Sequence, residues 1–268
     1  PGQDLLLQGI TGLAKNTGRF SYPPTQLGAG IADQLGSLNM VIGILSALHY
    51  RNRTGRGQEI KVDLMSALLQ HQLQEFVAVL NLDQEFERPE SGVGHPGSGA
   101  PFGIYKTKDD YITIAVASLE DLSEILNDEG LKKYSEGPSG AMGSDLQIKK
   151  RDEIFHYIEN LTKNFTTEFL DKKLSEKGCW SAPLKTHKQV YDDPQVKHMN
   201  MFTTFHHNNY GEVKTVSPAV KLSETPTKVT RPVPMIGEHG FEILKEFGYS
   251  DDEINNFITN EIISIEKP

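Results

Sequence analysis

Residues 25–63, TQLGAGIADQLGSLNMVIGILSALHYRNRTGRGQEIKVD, decide how the rest of the chain is read. A glycine-punctuated approach leads into an apolar run from Ile31 to Leu48, then a basic turn, then an alternating segment. The run predicts a helix of roughly five turns at 1.5 Å rise per residue. Apolar residues recur on every side of it, so the expectation is a buried helix rather than an amphipathic one. Gly36 and Gly43 stand seven apart and Ala47 follows, lining one face with small residues for close packing. A glycine inside a helix costs about 1 kcal/mol against alanine, so two of them imply a packing or ligand reason. The turn RNRTGRGQ, residues 51–58, reads as a cationic helix end with a glycine stop, with guanidinium groups for a phosphate-bearing ligand as the other reading. Residues 59–63 alternate as a half-buried strand does.

Asp33, the single acid in this run, has two readings. As an N-cap it accepts N–H bonds and suits the positive end of the helix dipole. As a nucleophile, a carboxylate at a helix start among glycines is open to a bulky substrate. Periodicity alone leaves both open.

Outward from this stretch, the composition bounds the function. The 268 residues carry 36 acids against 27 Lys plus Arg, a net charge of −9, with no sustained basic block. That argues against nucleic acid or an anionic membrane as partner. No apolar run reads as long enough to span a bilayer, and the start lacks a signal pattern. One cysteine, Cys179, excludes an internal disulfide framework and reads as a buried structural thiol in a reducing compartment. The opening PGQDLLLQGITGL reads as mid-domain, with an upstream portion expected to precede it.

Residues 4–13 have helical spacing, and Pro23-Pro24 force a loop. Residues 64–82 predict a second long helix with Leu64, Leu68, Leu69, Leu73, Phe76, Val77 and Leu80 on one face. Residues 91–103, SGVGHPGSGAPFG, place five glycines where backbone either turns or approaches a ligand. No nucleotide-phosphate motif is present. Residues 104–108 and 111–117 around Asp109-Asp110 predict a hairpin, and 201–205 with 213–216 a second one around HHNNYG. His206-His207 read as a solvated turn, and no metal site is expected. Short helices are predicted over 120–126, 148–160, 166–174 and 186–191. Residues 135–144 read as mobile, 218–234 as extended and Pro-rich, and closing helices as 238–247 and 251–258.

Several of these pieces together resemble the class III CoA-transferases. They are QDLLLQGITGL with Thr17-Gly18, IADQLGSLNMVIGILSAL, RTGRGQEIKVDL, GHPGSGAPFGIYKTKDDYITIAV, YDDPQV and RPVPMIGEHGFEIL, in the family's order. The resemblance implies an α/β fold, with part of a Rossmann-like large domain plus a small α+β domain in an interlocked, ring-like dimer. It implies residues 1–82 as the end of the large, CoA-binding domain and 83–200 as linker and small domain. Residues 201–268 then return as strands, a Pro-rich linker and helices on the large domain. The N-terminal half of the Rossmann-like domain would precede Pro1.

The resemblance also implies a function. CoA passes from an acyl-CoA donor to a carboxylic acid through a covalent intermediate on Asp33. Gln3, Asp4, Gly97, Ser98 and Gly99 are the implied substrate- and CoA-contacting residues, the last three on a loop that closes over the site. CoA and acyl-CoA are substrates, and no permanently bound cofactor is expected. The partners are a homodimer and, as another arrangement, a separately supplied N-terminal half, in the cytoplasm or, in a eukaryote, the mitochondrial matrix. Two alternatives stand beside this reading. One is a non-catalytic scaffold chain of the same fold. The other is a 2-methylacyl-CoA racemase, whose family carries a His where this chain has Gln3. Losing that His removes one of the two proton-transfer groups a racemase needs.

Overall fold

The chain opens on a capped helix. Gln3 Oε1 accepts the Leu6 N–H at 3.4 Å at the start of α1 (Asp4–Ile10), and Gly12, at φ 86°, turns the chain into α2 (Leu13–Asn16). The computed structural model describes residues 2–82, 87–92, 98–135, 145–227, 229 and 231–264. By its contacts the chain divides into two units, Pro1–Leu184 and Lys185–Pro268. The readings of residues 93–97, Gly97 among them, and of 136–144 fall outside the described residues.

In the first unit the long helix α3 (Ile31–Thr54) follows. Gly55, at φ 74°, ends it and donates its N–H to Arg51 O at 2.8 Å, with Arg51 and Arg53 in the last turn as the dipole favours. The expectation that α3 is buried is corrected. Only Ala32, Gly36 and Ala47 are buried, while Leu38, Val41, Ile42 and Leu45 are more than half exposed. Too little of this chain lies over the helix to cover an all-round apolar surface. By length and composition α3 is long and apolar enough to cross a bilayer, which corrects the reading of the sequence. Its small-residue face shows a different use. A Cβ on Gly36 would lie 2.5 Å from Leu64 Cδ2, and one on Gly43 would lie 2.8 Å from Ile60 Cγ2. The two glycines seat the returning segment of the chain.

That segment, 56–63, forms no strand, because among the described residues it has no partner strand. Asp63 instead caps α4 (Leu64–His71). The expected single helix over 64–82 is two, α4 and α5 (Leu73–Leu82). The break is at Gln72, which is buried and donates through Nε2 to Thr11 O at 3.2 Å and Leu68 O at 3.3 Å. A side chain bound to two carbonyls there fixes a turn that apolar periodicity does not reveal.

The rest of this unit is an antiparallel sheet in the order β1 (Gly103–Lys106), β2 (Tyr111–Val116) and β3 (Trp180–Pro183). The Asp109-Asp110 turn and the Lys106–Tyr111 pairing match the predicted hairpin. Asp109 Oδ1 accepts both the Thr167 N–H and Oγ1–H at 2.8 Å, tying that turn to a later helix start. Helices α6 (Leu119–Leu126), α7 (Asp145–Lys149), α8 (Arg151–Thr162) and α9 (Thr167–Glu176) accompany the sheet. Tyr105, Ile112 and Ile114 from the sheet and Leu122, Phe155, Ile158 and Leu174 from the helices make one fully buried core. Cys179 packs, half-buried, against it, and burial pushes its thiol up, as suits a structural residue.

The second unit begins with α10 (His187–Asp192), closed by a Thr186–Gln189 capping box, and α11 (Pro194–His198), capped by Asp193. Strands β4 (Phe202–His207) and β5 (Gly211–Val216) pair as the second hairpin. His207 is buried on β4 rather than in a solvated turn, which corrects that reading. Its Nδ1 accepts the Asn209 N–H at 3.1 Å, so Nε2 is assigned the proton and donates to Val233 O at 2.9 Å. Helices α12 (Gly240–Glu246) and α13 (Asp251–Thr259) close the chain, with Gly248, at φ 89°, between them.

Candidate active site

Asp33 lies in the first turn of α3 but is not its cap. The N-cap is Gly30, which offers no side chain, so an acceptor comes from elsewhere in the chain. Asp4 Oδ1 accepts the Ala32 N–H at 2.7 Å, and Asp4 Oδ2 accepts from Gln8 Nε2 at 2.7 Å. Gln8, fully buried, in turn accepts the Leu27 N–H through Oε1 at 2.9 Å. The Asp4–Gln8 pair on α1 therefore holds both the start of α3 and the loop that leads into it. The capping role that spacing offered to Asp33 is filled by Asp4.

Asp33 is exposed and lines a groove of ≈ 510 Å³ together with Gly36, Ser37 and Met40 of α3 and Val62, Asp63 and Leu64 of the returning chain. The groove exists because Gly36 has no side chain and the returning chain crosses at that point. Two carboxylates line it, and they are in different states. Asp63 Oδ1 accepts the Ser66 N–H at 2.8 Å and Oδ2 accepts Ser66 Oγ–H at 2.7 Å, bonds that hold its carboxyl below the usual range. Among the described residues the Asp33 carboxylate makes no hydrogen bond and no ion pair. An exposed carboxylate with no such bond, beside a groove, is free to meet a substrate carbonyl as a covalent nucleophile does.

The other residues read from the sequence lie in varied places. Gln3 is the exposed cap of α1, and Asp4 spends both oxygens inside the chain. Ser98 is buried, and Gly99 lies so close to α7 that an added Cβ would come within 3.0 Å of the Gln147 and Ile148 backbone. Neither lines the Asp33 groove. No group of three or more His, Cys, Asp or Glu able to hold a metal occurs among the described residues. Sequence reasoning missed Gln8. Its one signal was a polar residue four after Asp4 on an otherwise apolar helix.

Residues 1–240 match CoA-transferase family III. The chain belongs to this family. Among its relatives is a formyl-CoA:oxalate CoA-transferase of Streptomyces coelicolor, 28% identical over 97% of this chain and 66% of that protein. Another is a succinyl-CoA:glutarate CoA-transferase of Homo sapiens, 27% identical over 98% of this chain and 59% of that protein. A CaiB/BaiF family protein from Brucella suis shares the fold, with a TM-score of 0.73 and 27% identity over 91% of this chain and 62% of that one. The chain thus spans between 59% and 66% of the length of these family members. The mixed helix-and-strand family III fold read from the motifs is the one found.

Proposed function

We propose that this chain transfers CoA from an acyl-CoA to a carboxylate acceptor, with Asp33 as the nucleophile. The observation that carries the reading is the exposed Asp33 carboxylate, without a hydrogen bond or ion pair among the described residues in the lining of the Gly36 groove, while the neighbouring Asp63 is bonded through both oxygens. The names of both quoted relatives describe CoA exchange between small carboxylic acids, and we take the same substrate class here.

In this scheme an Asp33 oxygen attacks the thioester carbonyl, the C–S bond breaks, and CoA leaves as a thiolate from a mixed anhydride. The thiolate then attacks the aspartyl carbonyl, releasing the donor acid and leaving an aspartyl-CoA thioester. The acceptor carboxylate attacks that carbonyl, expelling the thiolate and forming a second anhydride. The thiolate finally attacks the acceptor's carbonyl, which yields the new CoA ester and regenerates Asp33. Dividing one exchange among covalent steps lowers each barrier. No net proton is transferred, so no general base is required. Gln3 at the α1 cap has no titratable nitrogen, which speaks against proton relay as the chemistry. Asp4 and Gln8 serve by fixing the turn that carries Asp33, since attack needs the carboxylate within about 3–3.5 Å of the carbonyl.

The bare face of α3, with Leu38, Val41, Ile42 and Leu45, supports an assembly in which further polypeptide covers this helix, as in the interlocked dimer and the larger Rossmann-like domain of the resemblance. The test is Asp33→Asn in the transferring assembly. Because the Asp33 carboxylate makes no hydrogen bond or ion pair among the described residues, stability should stay within about 0.5 kcal/mol. CoA transfer should fall by orders of magnitude. Near-parental transfer by the variant defeats the assignment.

A further inference from the structure

A second cleft in the first unit, of ≈ 920 Å³, has a lining that the transfer chemistry on Asp33 does not use. It gathers Arg19 from the loop after α2, Lys106 from β1, Lys163 after α8 and one acid, Glu159. In a chain with 36 acids and 27 Lys plus Arg, three cations to one carboxylate around a single cleft is a reversal of the overall balance. The charges are also unequal in their partners. Glu159 has both oxygens committed, Oε1 to Arg19 Nη2 at 3.2 Å and Oε2 to Lys163 Nζ at 3.3 Å. Burial alone would raise its carboxyl, yet these two cations hold it below the usual range. Lys106 has no carboxylate partner among the described residues. Its ammonium stands 4.4 Å from the centre of the Tyr111 ring.

The walls are built rather than incidental. The Arg88 guanidinium donates to Thr17 O at 3.0 Å and to Tyr22 O at 2.9 Å, pinning both ends of the loop that forms one side. Glu90 accepts from Ser21 N–H and Oγ–H, each at 2.8 Å, and fixes the loop between them. Gly18, at φ 88°, turns there with Thr25 Cγ2 only 2.9 Å from where a Cβ would be, so a side chain at this position would be strained and would press on Thr25. Pro23, Pro24, Ile104 and Leu184 add apolar surface, and Tyr22 and Tyr111 add rings.

We propose that this cleft binds a small organic oxyanion, a carboxylate or phosphate carried on an apolar or aromatic body, with Lys106 as its charged anchor. Arg19 and Lys163 neutralise Glu159, so the anion meets no opposing charge, and the rings and prolines take the body of the ligand. Hydrogen bonds from an ammonium to an oxyanion are charge-assisted and stronger than neutral ones. The proposal is independent of the chemistry on Asp33.

The probes are benzoate, phenyl phosphate and inorganic phosphate, titrated calorimetrically into the full chain at low and at 0.5 M salt. Saturable binding of benzoate or phenyl phosphate, tighter than that of inorganic phosphate and weakened by salt, is expected, and the stronger of the two names the oxyanion. Lys106→Gln should weaken it about tenfold, the scale of one charge-assisted contact. Its unchanged circular dichroism shows that the fold is kept. Asp33→Asn should bind the probe as the parent does. The proposal fails if neither aromatic probe saturates by 20 mM, or if Lys106→Gln binds as tightly as the parent. Loss of binding in Asp33→Asn also overturns it, because the probe then occupies the Asp33 groove.

Discussion

Replacing Asp4 by Ala removes two bonds at once from the start of the helix that carries Asp33. The Ala32 N–H, on a fully buried residue, loses its 2.7 Å acceptor, and buried Gln8 loses the 2.7 Å acceptor of its Nε2. Loss of a capping acceptor costs about 0.5–2 kcal/mol, and leaving a buried amide unsatisfied costs about 1–3 kcal/mol. Water entering the partly exposed site recovers some of this, so the expected loss for Asp4→Ala is about 2–4 kcal/mol. Asp4→Asn keeps an oxygen for Ala32 but turns an NH2 group toward the NH2 of Gln8. Gln8 cannot flip to compensate, because its Oε1 holds the Leu27 N–H. The Asn variant should therefore lose about half as much, near 1–2 kcal/mol. Urea unfolding followed by far-ultraviolet circular dichroism reads both, with the denaturant slope unchanged if only stability has moved. A loss below about 0.5 kcal/mol for Asp4→Ala, the range of an ordinary surface substitution, refutes the capping argument. Equal losses for Ala and Asn refute the role given to Gln8.

Glu159 makes acid sensitivity predictable in sign. Arg19 and Lys163 hold its folded-state pKa below the ordinary 4.5, so its contribution is complete above that pH and is lost as the pH falls through the depressed value. Glu159→Gln should flatten the loss of stability below about pH 4.5, and an identical acid limb in parent and variant contradicts this. Gly36→Val places a branched side chain where even a Cβ alone would lie 2.5 Å from Leu64 Cδ2. It should destabilise by about 1–3 kcal/mol despite removing a helix glycine. A stabilised variant, read by thermal unfolding, contradicts the seating of Leu64 on α3.

Local chemistry was legible in the sequence where it is self-contained. The Asp109-Asp110 hairpin and the Gly55 stop of α3 each depend on a few adjacent residues. What depends on distant partners was not. β3 runs over Trp180–Pro183, four residues including a proline, and only its pairing with β2 makes it a strand. The segment 59–63 has strand alternation but no partner strand among the described residues. α3 carries the composition of a buried helix, yet burial is set by what covers it. The same division holds at the site. Asp33 stood out as the lone acid at the start of an apolar run, and the resemblance to the family implied the nucleophile's role proposed for it. That Asp4, 29 positions earlier, would take over the capping was not legible, because it requires α1 to lie across the start of α3. The cleft around Lys106 left no local signal, since Arg19 and Glu159 are 140 residues apart.

The central claim is that Asp33 becomes covalently acylated, and one trapping measurement tests it most directly. The transferring assembly is incubated with acyl-CoA, quenched with hydroxylamine, digested and analysed by mass spectrometry. Hydroxylamine attacks an aspartyl anhydride or thioester and leaves a hydroxamate. The account predicts a gain of about 15 Da on the peptide containing Asp33, dependent on acyl-CoA and missing from Asp33→Asn. A hydroxamate on another acid, or none in an assembly that is transferring CoA, contradicts it.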